Sequence, residues 1–257
     1  MSSTRQFLPD PDGYPVRGLA VTYPDGHWLN THTHPWAQLV YAASGVMQVT
    51  TPGAAWLVPP TRAIWVPGGT PHGIRMRGAV AMRTLYLSPV DPDARLAECR
   101  ALEVGPLLRE LILHIVRLGM LSLEPAGEQT LANLLIDLLA VEQTAPYALP
   151  LPTDPRARAF ADRLLAEPAE AAPLAELALR SGASLRTLQR LFQRETGLPL
   201  EVWRARVRMQ QGMVSLSGGA AVTQAALDAG YQSPSAFIAA FKRAFGVTPA
   251  RYRARAA

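Results

Sequence analysis

At 257 residues, 49% hydrophobic and 18% charged, the chain is long enough for two ordinary domains with separate cores and lacks the composition of a disordered or fibrous protein. Its one cysteine, Cys99, excludes an intrachain disulfide, and the opening MSSTRQFLPDPDGYP has no apolar run of the kind a secretory signal needs, so a cytoplasmic protein is expected. Charge is uneven: residues 1–155 carry ten arginines against thirteen acidic residues, a net of −3, while residues 156–257 carry fourteen arginines and one lysine against seven, a net of +8 that suits a polyanion partner.

Residues 15–90 read as short strands. WAQLVYA, GVMQVTT, AAWLVPP, AIWVPGG, GIRMRG and VAMRTLYLS are β-branched or aromatic and punctuated by Gly and Pro, which predicts a sandwich or barrel. Trp36, Trp56, Trp65 and Tyr86 are expected in its core more than on a pocket wall. Within this region, Gly26, five residues, His32-x-His34, three residues, Gln38, six residues and Gly45 form one pattern, and Pro67-x-Gly69-x-x-His72 forms a second. These stretches resemble the two cupin motifs. Gln38 stands where most metal-binding cupins have glutamate, Thr61 replaces the second motif's leading glycine, and Met76 its trailing asparagine.

The resemblance implies a jelly-roll barrel in which three imidazoles and a carboxylate surround one ion. With Gln38 neutral, two readings stay open. His32, His34 and His72 could hold a divalent transition metal (zinc, nickel or iron) with a coordination position free. Alternatively, the same residues with Gln38 line a polar pocket for an organic ligand. His27 and His114 fall outside the pattern and are expected to be structural.

GPLLRELILHIVRLGM (105–120) and EQTLANLLIDLLAVEQ (128–143) place apolar residues at helical spacing and predict two amphipathic helices, antiparallel across the short LEPAG break. Arg109, Glu110, His114 and Arg117 interrupt the first, so it is no membrane span. APYALPLPTDP (145–155) follows, a stiff linker with four prolines in eleven residues.

Everything after Arg156 reads as helix. In LAELALRSGASLRTLQRLFQRETG (174–197) a helix ends at Ser181-Gly182, Ser184 is a natural N-cap, and the next helix buries Leu185, Leu188, Leu191 and Phe192. Arg186, Thr187, Gln189, Arg190, Gln193 and Arg194 fall on its other faces, and Arg and Gln can pair with guanine or adenine edges in the major groove. VTQAALDAGYQSPSAFIAAFKRAF (222–245) repeats the layout, with Gly230 at the turn, Ser233 or Ser235 as cap, and Phe237, Phe241 and Phe245 buried. PLEVWRARVRMQQGMVSLS (199–217) between them predicts one long helix that could hold two recognition helices roughly 34 Å apart, the spacing of successive major grooves.

Residues from about 156 to 254 resemble the DNA-binding domain of the AraC/XylS family of bacterial transcription regulators, through the 174–197 stretch and ALDAGYQSPSAFIAAFKRAFGVTPARYR. The resemblance implies base contacts from Arg186, Gln189 and Arg190 on the first recognition helix and from Ser235, Ile238 and Ala239 on the second. Ile and Ala can read only thymine methyls or shape, so the first helix should carry most base specificity. Ser233, Lys242 and Arg243 should contact phosphates; Ser184, Thr187 and Arg194 complete the DNA-facing set.

The organisation expected is α+β multidomain: a cupin-like effector domain (1–100), a helical dimerisation segment (101–144), the linker (145–155) and a double helix-turn-helix domain (156–257). The resemblance implies a DNA-binding regulator controlled by a small molecule or metal, working as a homodimer with its helix stripes buried between subunits, and meeting RNA polymerase if it activates. The alternative is a dioxygenase-like metallo-cupin enzyme with an appended DNA-binding domain; a weaker one is an architectural DNA-binding protein without an effector. No catalytic residue is identified.

Overall fold

The computed structural model describes residues 14–88, 96–122, 124, 126–141 and 148–256. Residues 1–13, parts of the LEPAG break, 142–143 of the second expected helix and 145–147 of the linker lie outside them. The chain divides into two compact units, one of residues 1–51 and 56–148, the other of 52–55 and 149–257.

The first unit is an antiparallel sheet with two helices. Its strands are β1 (Val16–Tyr23), β2 (Trp28–His32), β3 (Ala37–Thr50), β4 (Ala54–Val58, of which residues 56–58 belong to this unit), β5 (Arg62–Val66), β6 (His72–Leu87), β7 (Arg100–Glu103) and β8 (Met120–Leu121). The order is β7-β5-β3-β6-β1-β8, with β2 also on β6 and β4 also on β3. WAQLVYA and GVMQVTT, expected as two strands, are the single strand β3; GIRMRG and VAMRTLYLS are likewise the single strand β6. Their pairing runs from Ala37↔Leu87 to Thr50↔Gly73, with register shifts on either side of Ser44. Bulges there absorb the extra residues and bend the strand without ending it, so turn chemistry at Ser44-Gly45 marks a kink.

Helices α1 (Pro106–Leu118) and α2 (Ala126–Val141) carry the apolar stripes that their spacing predicts. Leu108, Leu111, Ile112 and Ile115 of α1 and Ala132, Leu135, Ile136 and Leu139 of α2 share one core with Leu39, Tyr41, Trp65, Leu85 and Leu87. Each large apolar side chain so buried stabilises the unit by roughly 1.5–3 kcal/mol. The expectation that these stripes are buried between subunits therefore gives way, because they are spent on the chain's own sheet. Arg109 Nη1 adds a bond to Tyr41 Oη at 2.6 Å. On the outer faces Leu107, Leu118, Met120, Leu134 and Val141 remain exposed. Trp56 and Trp65 are buried as expected, the latter donating its indole N–H to Leu96 O at 2.8 Å.

The second unit is helical: α3 (Pro155–Ala166), α4 (Leu174–Arg180), α5 (Leu185–Thr196), α6 (Leu200–Ser217), α7 (Val222–Asp228), α8 (Pro234–Phe245) and α9 (Pro249–Ala256). Between α4 and α5 and between α7 and α8 the chain turns at Gly182 and Gly230, with φ of 72° and 73°, a conformation that costs a side chain-bearing residue energy and glycine almost none. Ser184 Oγ caps α5 by accepting from Thr187 N at 3.2 Å, and Ser233 Oγ caps α8 by accepting from Ala236 N at 3.1 Å. Ser233 is thus the cap of the two candidates.

The first helix-turn-helix core centres on Trp203, which stacks edge-on against Phe192 and donates its indole N–H to Pro150 O at 2.7 Å. Glu195 on α5 accepts from Thr153 N and Asp154 N, and these bonds, with Arg194 beside it, hold its carboxyl down at about 2. Phe237 and Phe241 are buried in the second helix-turn-helix, whereas Phe245 is only half-buried.

Ser184→Ala is expected to lower the unfolding free energy by about 1 kcal/mol, and Trp203→Ala by about 3–5 kcal/mol. Guanidinium unfolding of the two variants checks both; equal losses would contradict this division between cap and core.

Candidate functional sites

The histidine cluster is assembled by the ends of three strands. His32 closes β2 and His72 opens β6, and the two are register partners. His34 lies in the turn that leads into β3, and Gln38 sits just inside that strand opposite Val66 of β5. The β5–β6 turn must therefore come back against residues 34–36. It does so at Gly68, where an added Cβ would fall 2.1 Å from Pro35 O, and Gly69 N donates to His34 O at 2.8 Å. Only glycine permits that approach.

The structure brings His32, His34, His72 and Gln38 together. The ligand atoms of the three histidines all lie within 4.8 Å of one another. His72 is buried, His34 half-buried and His32 exposed, so the cluster opens on one side to solvent. Each Nδ1 faces a main-chain carbonyl: His32 to Asn30 O at 2.8 Å, His34 to Trp36 O at 2.7 Å, and His72 to Thr70 O at 2.9 Å. A carbonyl accepts only, so each Nδ1 carries the proton. In the neutral rings every Nε2 is then a lone pair. Gln38 Oε1 lies 3.2 Å from His34 Nε2 and 2.9 Å from His72 Nε2. Burial holds the His72 imidazole below its usual pKa; the N–H given to Thr70 O opposes this, and the His32 and His34 rings reinforce it.

Around the cluster, Tyr86 meets His34 edge-on at 5.3 Å, and burial raises its phenol pKa. Trp36 is half-buried under the Arg17 guanidinium, 4.8 Å from its ring. Tyr86 thus borders the cluster, contrary to its expected place in the core, and Trp36 is only half-buried. His27 stacks on Tyr23 and His114 is exposed on α1, both away from the cluster. Thr84, which accepts from Gln38, belongs to no motif; its sign in the sequence is a polar residue on an inward position of VAMRTLYLS.

On the helical unit, Arg186, Gln189, Arg190 and Arg194 are exposed along α5, and Thr187 is half-buried. Gln189 Nε2 donates to Glu201 Oε1 at 2.8 Å, a partner twelve residues away that no spacing rule reveals. On α8, Ser235, Ile238, Ala239, Lys242 and Arg243 are exposed, as is the cap Ser233. Two capped helices thus present their exposed faces, one rich in guanidinium and amide groups and one largely apolar.

In an unfolded chain an imidazole titrates near 6.5, while folded His72 takes its proton only at lower pH. The unfolded state binds more protons in that interval, so the metal-free protein loses stability as pH falls through about 6.5. His72→Gln should make this loss shallower; thermal unfolding in chelator at about pH 7.5 and about pH 5.5 reads it, and an undiminished loss in the variant would contradict it.

Comparison with known proteins gives an AraC-like ligand binding domain over residues 14–181 and a helix-turn-helix domain over residues 177–255. The chain is 32% identical over 224 residues to the HTH-type transcriptional regulator NimR of Escherichia coli, covering 87% of this chain and 82% of that protein. It is 33% identical over 126 residues to the HTH-type transcriptional regulator RipA of Corynebacterium glutamicum, covering 49% of this chain and 37% of that one. The crystal structure of ToxT from Vibrio cholerae O395 aligns over 93% of this chain and 97% of that one at 9% identity, with a TM-score of 0.39. The matched relatives are regulators of transcription, which leaves the dioxygenase-like reading without support. The chain belongs to the AraC family of transcription regulators, a DNA-binding protein with a double helix-turn-helix domain behind an AraC-like, cupin-like ligand-binding domain.

Proposed function

We propose that this regulator is controlled through a divalent transition metal (zinc, nickel or iron) held by His32, His34 and His72 with Gln38. The observation that carries the reading is the polarity of the cluster. Three Nε2 lone pairs converge with an amide oxygen, and at 2.9 Å from His72 Nε2 that oxygen meets an acceptor. Two acceptors at that distance call for a cation between or beside them. Burial disfavours a proton on His72, whereas neutral imidazoles bound through Nε2, each with its Nδ1–H on a carbonyl, are what such metals take. His32 is exposed while His72 is buried, so a small-molecule effector would reach the cluster from the His32 side.

At the DNA, Arg186, Gln189 and Arg190 read bases, supported by Ser184, Thr187 and Arg194. Ser235, Ile238 and Ala239 of α8 face the bases, and Ser233, Lys242 and Arg243 grip phosphates. Gln189 must leave Glu201 to reach a base edge. The exposed apolar side chains Leu107, Leu118, Leu134 and Val141 on α1 and α2 favour a homodimer. No described helix is long and apolar enough to cross a membrane; the protein works in the cytoplasm, beside RNA polymerase where it activates.

Elemental analysis of tag-free protein purified without chelator tests the metal reading. About one equivalent of metal per chain, lost in the His32→Ala/His72→Ala double variant, is expected; no uptake on reloading with zinc, nickel or iron would overturn it and leave an organic-ligand pocket. At the DNA, Arg186→Ala should cost about 1–3 kcal/mol on the preferred site and relax its specificity, while Lys242→Ala should weaken all sequences alike and reduce the salt slope by about 1. Anisotropy titrations across salt concentrations check both, and the reverse assignment would contradict the unequal roles of α5 and α8.

A further inference from the structure

The Gln38 amide has an oxygen end and a nitrogen end, and the choice of which faces the imidazoles is made on the side away from them. Thr84 lies two residues before Tyr86, the register partner of Gln38, so Gln38 and Thr84 form a diagonal pair on one face of the sheet. They are 1% and 0% exposed. Thr84 Oγ1 donates its single proton to Leu39 O at 3.0 Å, which can only accept. The hydroxyl oxygen is left as an acceptor, and Gln38 Nε2 donates to it at 2.9 Å. With the amide nitrogen engaged there, the oxygen is the end that turns toward His34 and His72.

A carboxylate at position 38 would set one oxygen against the Thr84 oxygen, acceptor against acceptor, unless the hydroxyl abandoned Leu39 O. In this buried setting either the carboxylate faces the hydroxyl oxygen without a donor between them, or the hydroxyl gives up its present bond to Leu39 O. The same geometry that admits glutamine therefore disfavours the glutamate of the metal-cupin pattern, and the departure seen in the sequence has a partner 46 residues away.

We propose that Thr84 is a positioning residue that selects an amide at position 38 and aims its oxygen into the triad as a fourth, uncharged donor to the metal. The proposal rests on the reading of the triad as a metal site. Without the Thr84 hydroxyl, the amide nitrogen is buried and unpaired. The amide then turns over, offers its N–H groups to the Nε2 lone pairs, and withdraws its oxygen from the ion.

Co²⁺ alone, titrated into chelator-stripped full-length protein and followed by its visible absorption, tests this. Thr84→Val should bind Co²⁺ about 10–100-fold more weakly, the loss usual for a residue that orients a ligand, with an altered spectrum, and Thr84→Ser should restore both. Thr84→Val in a Gln38→Ala background should cost nothing further, because the two residues act as one. Unfolding midpoints of the stripped proteins, with Thr84→Ala as a second variant, confirm that each compared protein is folded. Unchanged affinity in folded Thr84→Val or Thr84→Ala, or additive losses in the double variant, would overturn the role of Thr84 while leaving the metal site standing. Absence of Co²⁺ binding by the unaltered chain would overturn the metal reading, and the role of Thr84 with it.

Discussion

Three main-chain carbonyls, of Asn30, Trp36 and Thr70, each take the Nδ1 proton of a histidine. Because a carbonyl can only accept, this fixes the tautomer of every ring in the cluster and turns three Nε2 lone pairs toward one another. The rest of the N-terminal domain is arranged to keep that unfavourable convergence in place. Gly68 lets the β5–β6 turn press onto Pro35, and the pairing of His32 with His72 locks the ends of β2 and β6. The apolar packing of α1 and α2 on the sheet supplies the stability that a site of facing acceptors subtracts. Facing acceptors of this kind call for a partner that supplies positive charge or hydrogen-bond donors, and the proposed metal is one such partner.

The helical domain divides its labour differently. Both helix-turn-helix units share the same local devices: a left-handed glycine, a serine cap and an aromatic core. They differ on the face they show. The exposed side of α5 offers planar, hydrogen-bonding groups of the kind that can pair with base edges, while α8 offers Ile238 and Ala239 framed by Lys242 and Arg243. On the proposed reading, affinity for any duplex would draw mainly on α8 and preference for one sequence mainly on α5. The Gln189–Glu201 bond means that Gln189 would exchange a protein partner for a base on the proposed reading, at a cost that is the same for every base.

Much of this was legible in the sequence because it is local. The serine caps, the turn glycines, the stripes of α1 and α2 and the spacing of His32, His34 and His72 are each set within a few residues, and periodicity reports them. What was not legible depends on pairing across the sheet. Turn residues at Ser44-Gly45 suggested a break because nothing local distinguishes a bulge from a turn when the partner strand is unknown. Aromatic character does not say which face of a bent strand a residue occupies, so Tyr86 reads as core in sequence although it meets His34. The stripes on α1 and α2 were legible as stripes, but not what they cover, since a sheet and a second subunit demand the same apolar spacing. Thr84 was invisible because its meaning comes from Gln38 and Leu39, far away along the chain.

On the proposed reading, the occupant of the histidine cluster governs DNA binding. The most direct test is the affinity of the full-length protein for its preferred DNA site, measured by anisotropy in the metal-loaded and chelated forms at one ionic strength. A two-site coupling predicts affinities that differ by about 5–150-fold, with metal affinity shifted by the same factor when DNA is present. Identical DNA affinities in the two forms would contradict the claim, whether or not the metal is bound.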